Sequence, residues 1–278
     1  MNIVDGKKIA EGILKRLGAK PAPKKFLAAV LVGDDAGSIS FLKQKEKAAE
    51  ELGVDFRLYE FPSEIKNDEL REEVRKIAGH KTCGGVIVQL PLPEHVNAQY
   101  VLNAIPREKD VDVLGERALG AFYANRNPVL PPAVGAVEEI LKSLDYKLEN
   151  KRVAVVGLGL LVGKPVSMWL MKKVGGLLLL HRGSDFSMLK SADFVISGVG
   201  KAGLIKPEML APGAGVIDFG YSTRTDADST RTNADKLVGD LDTSSSSLSS
   251  LSFYTPTPGG TGPILVAKVF ENFYKLNE

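Results

Sequence analysis

Apolar and polar positions along this chain switch between two periods, and the switching predicts its architecture. An unbroken apolar run over 26–33 reads as a buried strand. The segment 38–53 then places apolar residues every three to four positions and stops at Gly53, the pattern of an amphipathic helix closed by glycine. The unit recurs as a strand near 54–61, a charged helix near 67–79 and a strand at 84–90. Strands alternating with helices imply a mainly parallel sheet. After Ile105 the period fades through a polar, proline-containing stretch to Pro132, and 135–144 again reads as helix. The change of domain is expected in that stretch, giving an N-terminal α/β domain over 1–115 and a second domain over 116–278.

The second half opens on a short β-branched run at 152–156 that enters Gly157-Leu158-Gly159-Leu160-Leu161-Val162-Gly163, with a helix beginning near Pro165. Further strands at 177–180, 194–197 and 215–219 fit a Rossmann-like, doubly wound parallel sheet. The polar segment 222–236 receives no assignment, and the serine-rich 243–252 is expected to form a mobile surface loop. Residues 263–276 close the chain as a helix whose Leu265, Val266, Val269, Phe270 and Phe273 share one face. That helix, 263–278, is expected to pack back on the first domain.

Composition narrows the function classes. The chain has 278 residues, 44% hydrophobic and 25% charged, enough for two packed domains of common size. A net charge of +2 gives no electrostatic footprint for nucleic acid or an anionic membrane. One cysteine, Cys83, and three scattered histidines offer no disulfide framework and no metal-ligand pattern. The start, Met1 to Gly6, lacks a basic segment followed by an apolar run, and no stretch approaches the about 20 apolar residues of a membrane span. A soluble, cytoplasmic, unprocessed chain without metal is the expectation.

Three polar residues stand where chemistry is possible. Phe41, Lys45, Ala48 and Leu52 are spaced four, three and four apart, so Lys45 falls inside the apolar stripe of its helix. Either its methylenes line the core while the ammonium reaches water, or burial lowers its pKa and makes it a proton-transfer amine. Gln89 is a lone amide at the carboxyl end of an apolar strand, inside Val88-Gln89-Leu90-Pro91-Leu92-Pro93. Open α/β sheets bind ligands at such strand ends. Asp112, in Lys109-Asp110-Val111-Asp112, reads alone as part of a solvated turn.

Taken in order, Ser38-x-x-Phe41-x-x-x-Lys45, the Gln-Leu-Pro-Leu-Pro segment, Lys109-Asp110-Val111-Asp112, Val162-Gly163-Lys164-Pro165 and Pro258-Gly259-Gly260-Thr261-Gly262-Pro263 resemble the bifunctional methylenetetrahydrofolate dehydrogenase/cyclohydrolase family. The resemblance runs from near residue 1 to the end. It implies an N-terminal folate-binding catalytic domain, a C-terminal NADP-binding domain, a cleft between them and a homodimer. It also implies that 5,10-methylenetetrahydrofolate is oxidised to the methenyl form and then hydrolysed to 10-formyltetrahydrofolate, within one-carbon metabolism and purine biosynthesis. Lys45 would handle the proton, Gln89 would tune it and Asp112 would hold the pterin, with Ser38, Phe41, Leu90, Pro91, Pro258, Gly259 and Gly260 around the substrate. Three segments depart from the family pattern: Phe41 replaces a tyrosine, Gly157-Leu158-Gly159 replaces Gly-Arg-Ser, and Pro131-Pro132-Ala133-Val134 replaces Pro-Cys-Thr-Pro. A protein keeping only one of the two activities, or one that binds folate or nucleotide without turnover, remains open at this point.

For the cofactor the resemblance implies contacts from Gly157, Leu158, Gly159, Val162, Gly163, Lys164, Pro165, Gly198, Val199, Gly200 and Thr261. The glycine run is not the standard dinucleotide fingerprint, since its last glycine comes one position late. NAD sites place an acid at the end of the next strand to hold the ribose hydroxyls, whereas this chain has His181-Arg182. Arg182 suits a 2′-phosphate, which points to NADP, with NAD as the alternative because Leu158 stands where the family loop carries arginine.

Overall fold

The computed structural model describes residues 1–224 and 236–278. Contacts group these residues into two units, Ala10–Pro132 with Val266–Glu278, and Met1–Ile9 with Ala133–Leu265. Part of the polar segment left unassigned, 225–235, lies outside the described residues.

In the first of these units a three-stranded parallel sheet has the order β3-β2-β4, with β2 at Phe26–Val32, β3 at Phe56–Phe61 and β4 at Cys83–Val88. Every residue of β2 and β4 is buried, which is why both read as continuous apolar runs rather than alternating ones. Helix α2, Ala36–Leu52, starts where the Asp35 carboxylate accepts the Ser38 N–H at 2.7 Å and ends at Gly53 with φ 65°. Its buried face consists of Ser38, Leu42, Lys45, Ala48, Ala49 and Leu52: the last turns carry the expected Lys45, Ala48 and Leu52, whereas Phe41 is only half-buried and Leu42 takes the inward position beside it. Helix α3, Asn67–Gly79, lies over the predicted 67–79.

The unit extends past the expected boundary at residue 115. Asn272, on the last helix α8 (Thr261–Leu276), donates to both Val111 O and Leu130 O at 2.8 Å. These bonds tie the 111–130 stretch to the helix, and α5, Glu116–Tyr123, buries Ala118 and Phe122 there. The changeover therefore falls at Pro132, inside a segment whose weak period hid its packing. Helix α8 is also buried more completely than one stripe implies: Ile264, Ala267 and Tyr274 join the expected positions, while Leu265 is only half-buried.

The other unit holds a six-stranded parallel sheet ordered β1-β11-β8-β7-β5-β6. Its strands are β1 Asn2–Ile3, β5 Arg152–Val156, β6 Gly176–Leu180, β7 Phe194–Ser197, β8 Gly215–Asp218 and β11 Phe253–Tyr254. The order reverses direction on either side of β5, as in a doubly wound sheet. Helix α7, Gly163–Leu170, follows β5, beginning two residues ahead of the predicted Pro165. Helix α6, Pro132–Ser143, likewise starts earlier than 135. The two-residue strands β1 and β11 are too short to leave a period in the sequence.

Three segments correct or extend the sequence reading. Helix α1, Gly6–Gly18, begins and ends on glycine and carries Gly12 in its interior, which weakens its helical signal, although Ala10, Ile13 and Leu17 form its buried face. Within 222–236, Ser222–Arg224 (β9) pairs antiparallel with β10, Lys236–Val238. The serine-rich stretch is not a bare loop: Ser246–Ser250 form a 3₁₀ turn, Ser245 Oγ caps it by accepting the Ser247 N–H, and Leu248 and Leu251 pack into the core of this unit. Two leucines anchor the segment to the core, and serine hydroxyls close its turn.

Candidate active site

Lys45 lies on the buried face of α2 with 5% of its surface exposed, so its amine does not reach water. The Nζ donates to Gln89 Oε1 at 3.0 Å and stands 5.4 Å from the centre of the Phe41 ring. Gln89 is the residue just beyond β4, and its own N–H donates to Val30 O on β2. Its side-chain N–H₂ donates to Leu90 O at 2.9 Å, which leaves the amide oxygen facing the lysine. Burial pushes the Lys45 ammonium pKa down, and the Asp112 carboxylate nearby raises it part of the way back. Burial likewise pushes Asp112 up, against the opposing pull of Lys45. Both groups are driven toward their neutral forms.

Asp112 arrives by sheet register. A single parallel bridge joins Val86 of β4 to Asp110, so the chain runs beside β4 and Asp112 comes level with its carboxyl end, where Gln89 sits. Gly85 makes this approach possible, because a Cβ there would come within 2.7 Å of Val111 Cγ1 and 3.0 Å of Phe273 Cδ2. Asp110 is buried and accepts the N–H groups of Leu114 and Gly115 at 3.0 and 2.8 Å. Burial, only partly offset by these donors, pushes its pKa up to about 6. Between the two acids and those amides, buried Val113 adopts φ 56°, a left-handed conformation unfavourable for a β-branched residue. Nothing in the Lys109-Asp110-Val111-Asp112 motif alone marks Asp110 for a role; the loop geometry shows that it braces the turn carrying Asp112.

Ser38 is buried, and its Oγ has no hydrogen-bond partner among the described residues. It precedes Lys45 by two helical turns, on the same face. Phe41, Leu90 and Pro91 belong to this unit too, with Phe41 and Leu90 half-buried, Pro91 exposed and the Leu90–Pro91 peptide cis. Pro258, Gly259 and Gly260 belong to the other unit, where Gly259 has φ 98° and a Cβ on Gly260 would come within 2.9 Å of Thr255 Cβ.

In that unit the glycine loop leaves β5 at Gly157, with φ 85°, and a Cβ on Gly163 would collide with Gly157 O. Nothing crowds Gly159, so the loop has an open backbone face ahead of α7. This cradle suits a dinucleotide pyrophosphate. Val162 directly precedes α7, and Lys164 and Pro165 lie in its first turn. Arg182 is exposed just past β6, in a turn fixed by the His181 N–H donating to Ser184 Oγ. Gly198, Val199 and Gly200 leave β7 beside the loop, Val199 exposed. Thr261 Oγ1 donates to Asp218 O. No helix among the described residues is long and apolar enough to cross a membrane.

Comparison with known proteins also finds two domains along the chain, although the contacts assign residues 4–9 and 266–278 to the opposite units. Residues 4–112 match the catalytic domain of tetrahydrofolate dehydrogenase/cyclohydrolase, and residues 131–278 match its NAD(P)-binding domain. The chain is 33% identical over 281 residues to the bifunctional protein FolD of Listeria innocua, covering 98% of this chain and 96% of that protein. Among solved structures, the bifunctional FolD of Campylobacter jejuni superposes with a TM-score of 0.90 at 30% identity, over 100% of this chain and 98% of that one. The Trypanosoma brucei enzyme, complexed with NADP cofactor and inhibitor, gives 0.89 at 26% identity, over 99% and 96%. A buried lysine bonded to a half-buried glutamine, a glycine cradle and full-length similarity thus agree, and the chain belongs to the tetrahydrofolate dehydrogenase/cyclohydrolase family.

Proposed function

We propose that the protein oxidises 5,10-methylenetetrahydrofolate to 5,10-methenyltetrahydrofolate with NADP and hydrolyses that product to 10-formyltetrahydrofolate. The observation that carries this reading is the dry Lys45 amine held by Gln89 Oε1. NADP, when bound, accepts the hydride from the one-carbon bridge. Loss of hydride leaves an amidinium cation, and a second fixed positive charge beside it would oppose its formation. A lysine kept toward its neutral form by burial avoids that repulsion and retains a lone pair for a proton.

In the hydrolysis, water adds to the bridge carbon and gives a proton to Lys45 Nζ. The carbon–nitrogen bond to N5 of the pterin then breaks as N5 takes the proton back from Nζ, and the carbinol oxygen releases its remaining proton to become the carbonyl of the formyl group left on N10. One amine serves both transfers in turn. Gln89 holds the amine without supplying charge, so it orients the lone pair and leaves the pKa low. Asp112 accepts N–H donors of the pterin, Phe41 supplies a ring for stacking, and the unpaired Ser38 hydroxyl is free to meet a polar substrate atom.

The unit Ala10–Pro132 with Val266–Glu278 takes the folate, and the unit containing β5 takes the dinucleotide. Arg182, with no acid at the end of β6, favours the 2′-phosphate of NADP. A cytoplasmic homodimer supplying one-carbon units to purine biosynthesis completes the reading, and light scattering of the purified protein tests the oligomeric state. The central test is a pair of assays: NADP reduction with methylenetetrahydrofolate, and disappearance of methenyltetrahydrofolate. Both activities are expected; if neither occurs, the reading fails.

A further inference from the structure

Two buried carboxylates interlock at the carboxyl ends of β7 and β8. Asp240, just after β10, accepts three hydrogen bonds from described residues at or just beyond the end of β7: Ser197 Oγ–H at 2.6 Å, Val199 N–H at 2.8 Å and Lys201 N–H at 2.7 Å. Asp218, the last residue of β8, accepts the Gly220 and Leu241 N–H groups at 2.6 and 2.8 Å. Each carboxylate presses against a glycine beside the other acid. A Cβ on Gly239 would collide with Asp218 Oδ2, and a Cβ on Gly220 would collide with Asp240 Oδ1. Burying two acids this closely is costly unless donors hold them, and the donors here are chiefly backbone N–H groups of the loops themselves.

The turn that Asp240 holds faces the glycine cradle. A Cβ on Gly157 would come within 2.8 Å of Val199 Cγ2 and 3.1 Å of Gly198 O, so the turn and the cradle pack directly together. In a doubly wound sheet an extended dinucleotide crosses the end of the first strand of the binding motif, here β5. With the adenosine half toward β6 and Arg182, the nicotinamide half runs toward β7 and β8. The inward N–H groups of Val199 and Lys201 are occupied by Asp240, which leaves the outer face of the turn to the ligand.

We propose that Asp240, locked by Asp218, is a positioning residue that fixes the 198–201 turn for the nicotinamide half of the dinucleotide. The proposal rests on the dinucleotide reading above, and the bifunctional chemistry separates the two. Hydrolysis moves no electrons and needs no dinucleotide, so a fault in this turn is read in the NADP kinetics.

The experiment uses the full chain with Asp240→Asn, which keeps the side-chain shape but loses the charge and one acceptor. The KM for NADP is expected to rise about tenfold, while the KM for methenyltetrahydrofolate in hydrolysis stays within about twofold. Ser197→Ala, which removes one of the three donors, is expected to raise the KM for NADP about threefold, and it decides the matter if Asp240→Asn does not fold. An unchanged KM for NADP in a folded variant overturns the proposal. So does an equal fall of kcat in both reactions with no change in that KM, the mark of a merely structural role. Titration of the unmodified protein with NADPH separates the premises: absence of binding overturns the dinucleotide reading together with this proposal.

Discussion

Lys45 Nζ donates to Gln89 Oε1 across 3.0 Å, although 44 positions separate the two residues in the chain. The contact joins the middle of α2 to the residue after β4, and it gives the amine a neutral acceptor where a carboxylate would fix it as an ammonium. Gln89→Glu makes that replacement with little change in shape. A negative neighbour raises the lysine pKa, so the acid limb of the hydrolysis rate should move to higher pH and the rate at pH 7 should fall at least about tenfold. A pH–rate profile that coincides with that of the unmodified protein would remove Gln89 from the mechanism.

Lys45→Met separates function from stability. The thioether follows the path of the lysine methylenes without an amine that must be desolvated, so the melting temperature should hold or rise. Hydrolysis should fall about a hundredfold or more, and oxidation should fall less. A variant that melts lower and keeps its hydrolysis would show that the amine is structural.

Asp112→Asn tests the coupling from the other side. The Asp112 carboxylate raises the Lys45 pKa, so its removal lowers that pKa further and should move the acid limb of hydrolysis to lower pH. Loss of a pterin acceptor should raise the KM for folate about tenfold or more in the same variant. A shift of the limb in the opposite direction would contradict the assigned coupling.

Stability should also carry a pH signature from Asp110 and Asp218, each pushed by burial from an ordinary value of 3.8 up to about 6. Above 6 both are ionised in the folded and the unfolded chain, and the folded chain bears the cost of the buried charge. Between about 6 and 4 the folded chain binds the proton first, so falling pH stabilises it, by at most roughly 3 kcal/mol for each group. Urea unfolding at pH 7 and pH 5 should show a smaller difference in Asp110→Asn than in the unmodified protein. An unaltered difference would mean that Asp110 titrates at its ordinary value.

Arg182→Ser addresses cofactor choice. Removing the guanidinium should raise the KM for NADP about tenfold and leave that for NAD within about twofold. Equal effects on the two cofactors would place Arg182 away from the 2′-phosphate.

Much of this molecule is local in origin and therefore readable in one dimension. The apolar run of β2, the stripe of α2 with Gly53 at its end and the run of α3 follow from periods set within a few residues. The same period placed Lys45 on a buried face, but it could not say whether the Nζ turned out to water or inward to a partner. That choice depends on β4 ending beside α2 and on the acceptor presented there.

The sequence by itself determined the two kinds of α/β unit, the order of the family motifs and the candidates Lys45, Gln89 and Asp112. Tertiary structure alone decided that Asp112 stands near Lys45, through one bridge between Val86 and Asp110, and that Asn272 draws the 111–130 stretch into the first unit. It alone paired Asp218 with the glycine before Asp240 and bound Asp240 to Ser197, 43 residues away. The physical reason is that a helix or strand period records which side of an element meets apolar surroundings. Hydrogen bonds between distant loops are instead set by parallel register and close glycine contacts, which leave no period along the chain.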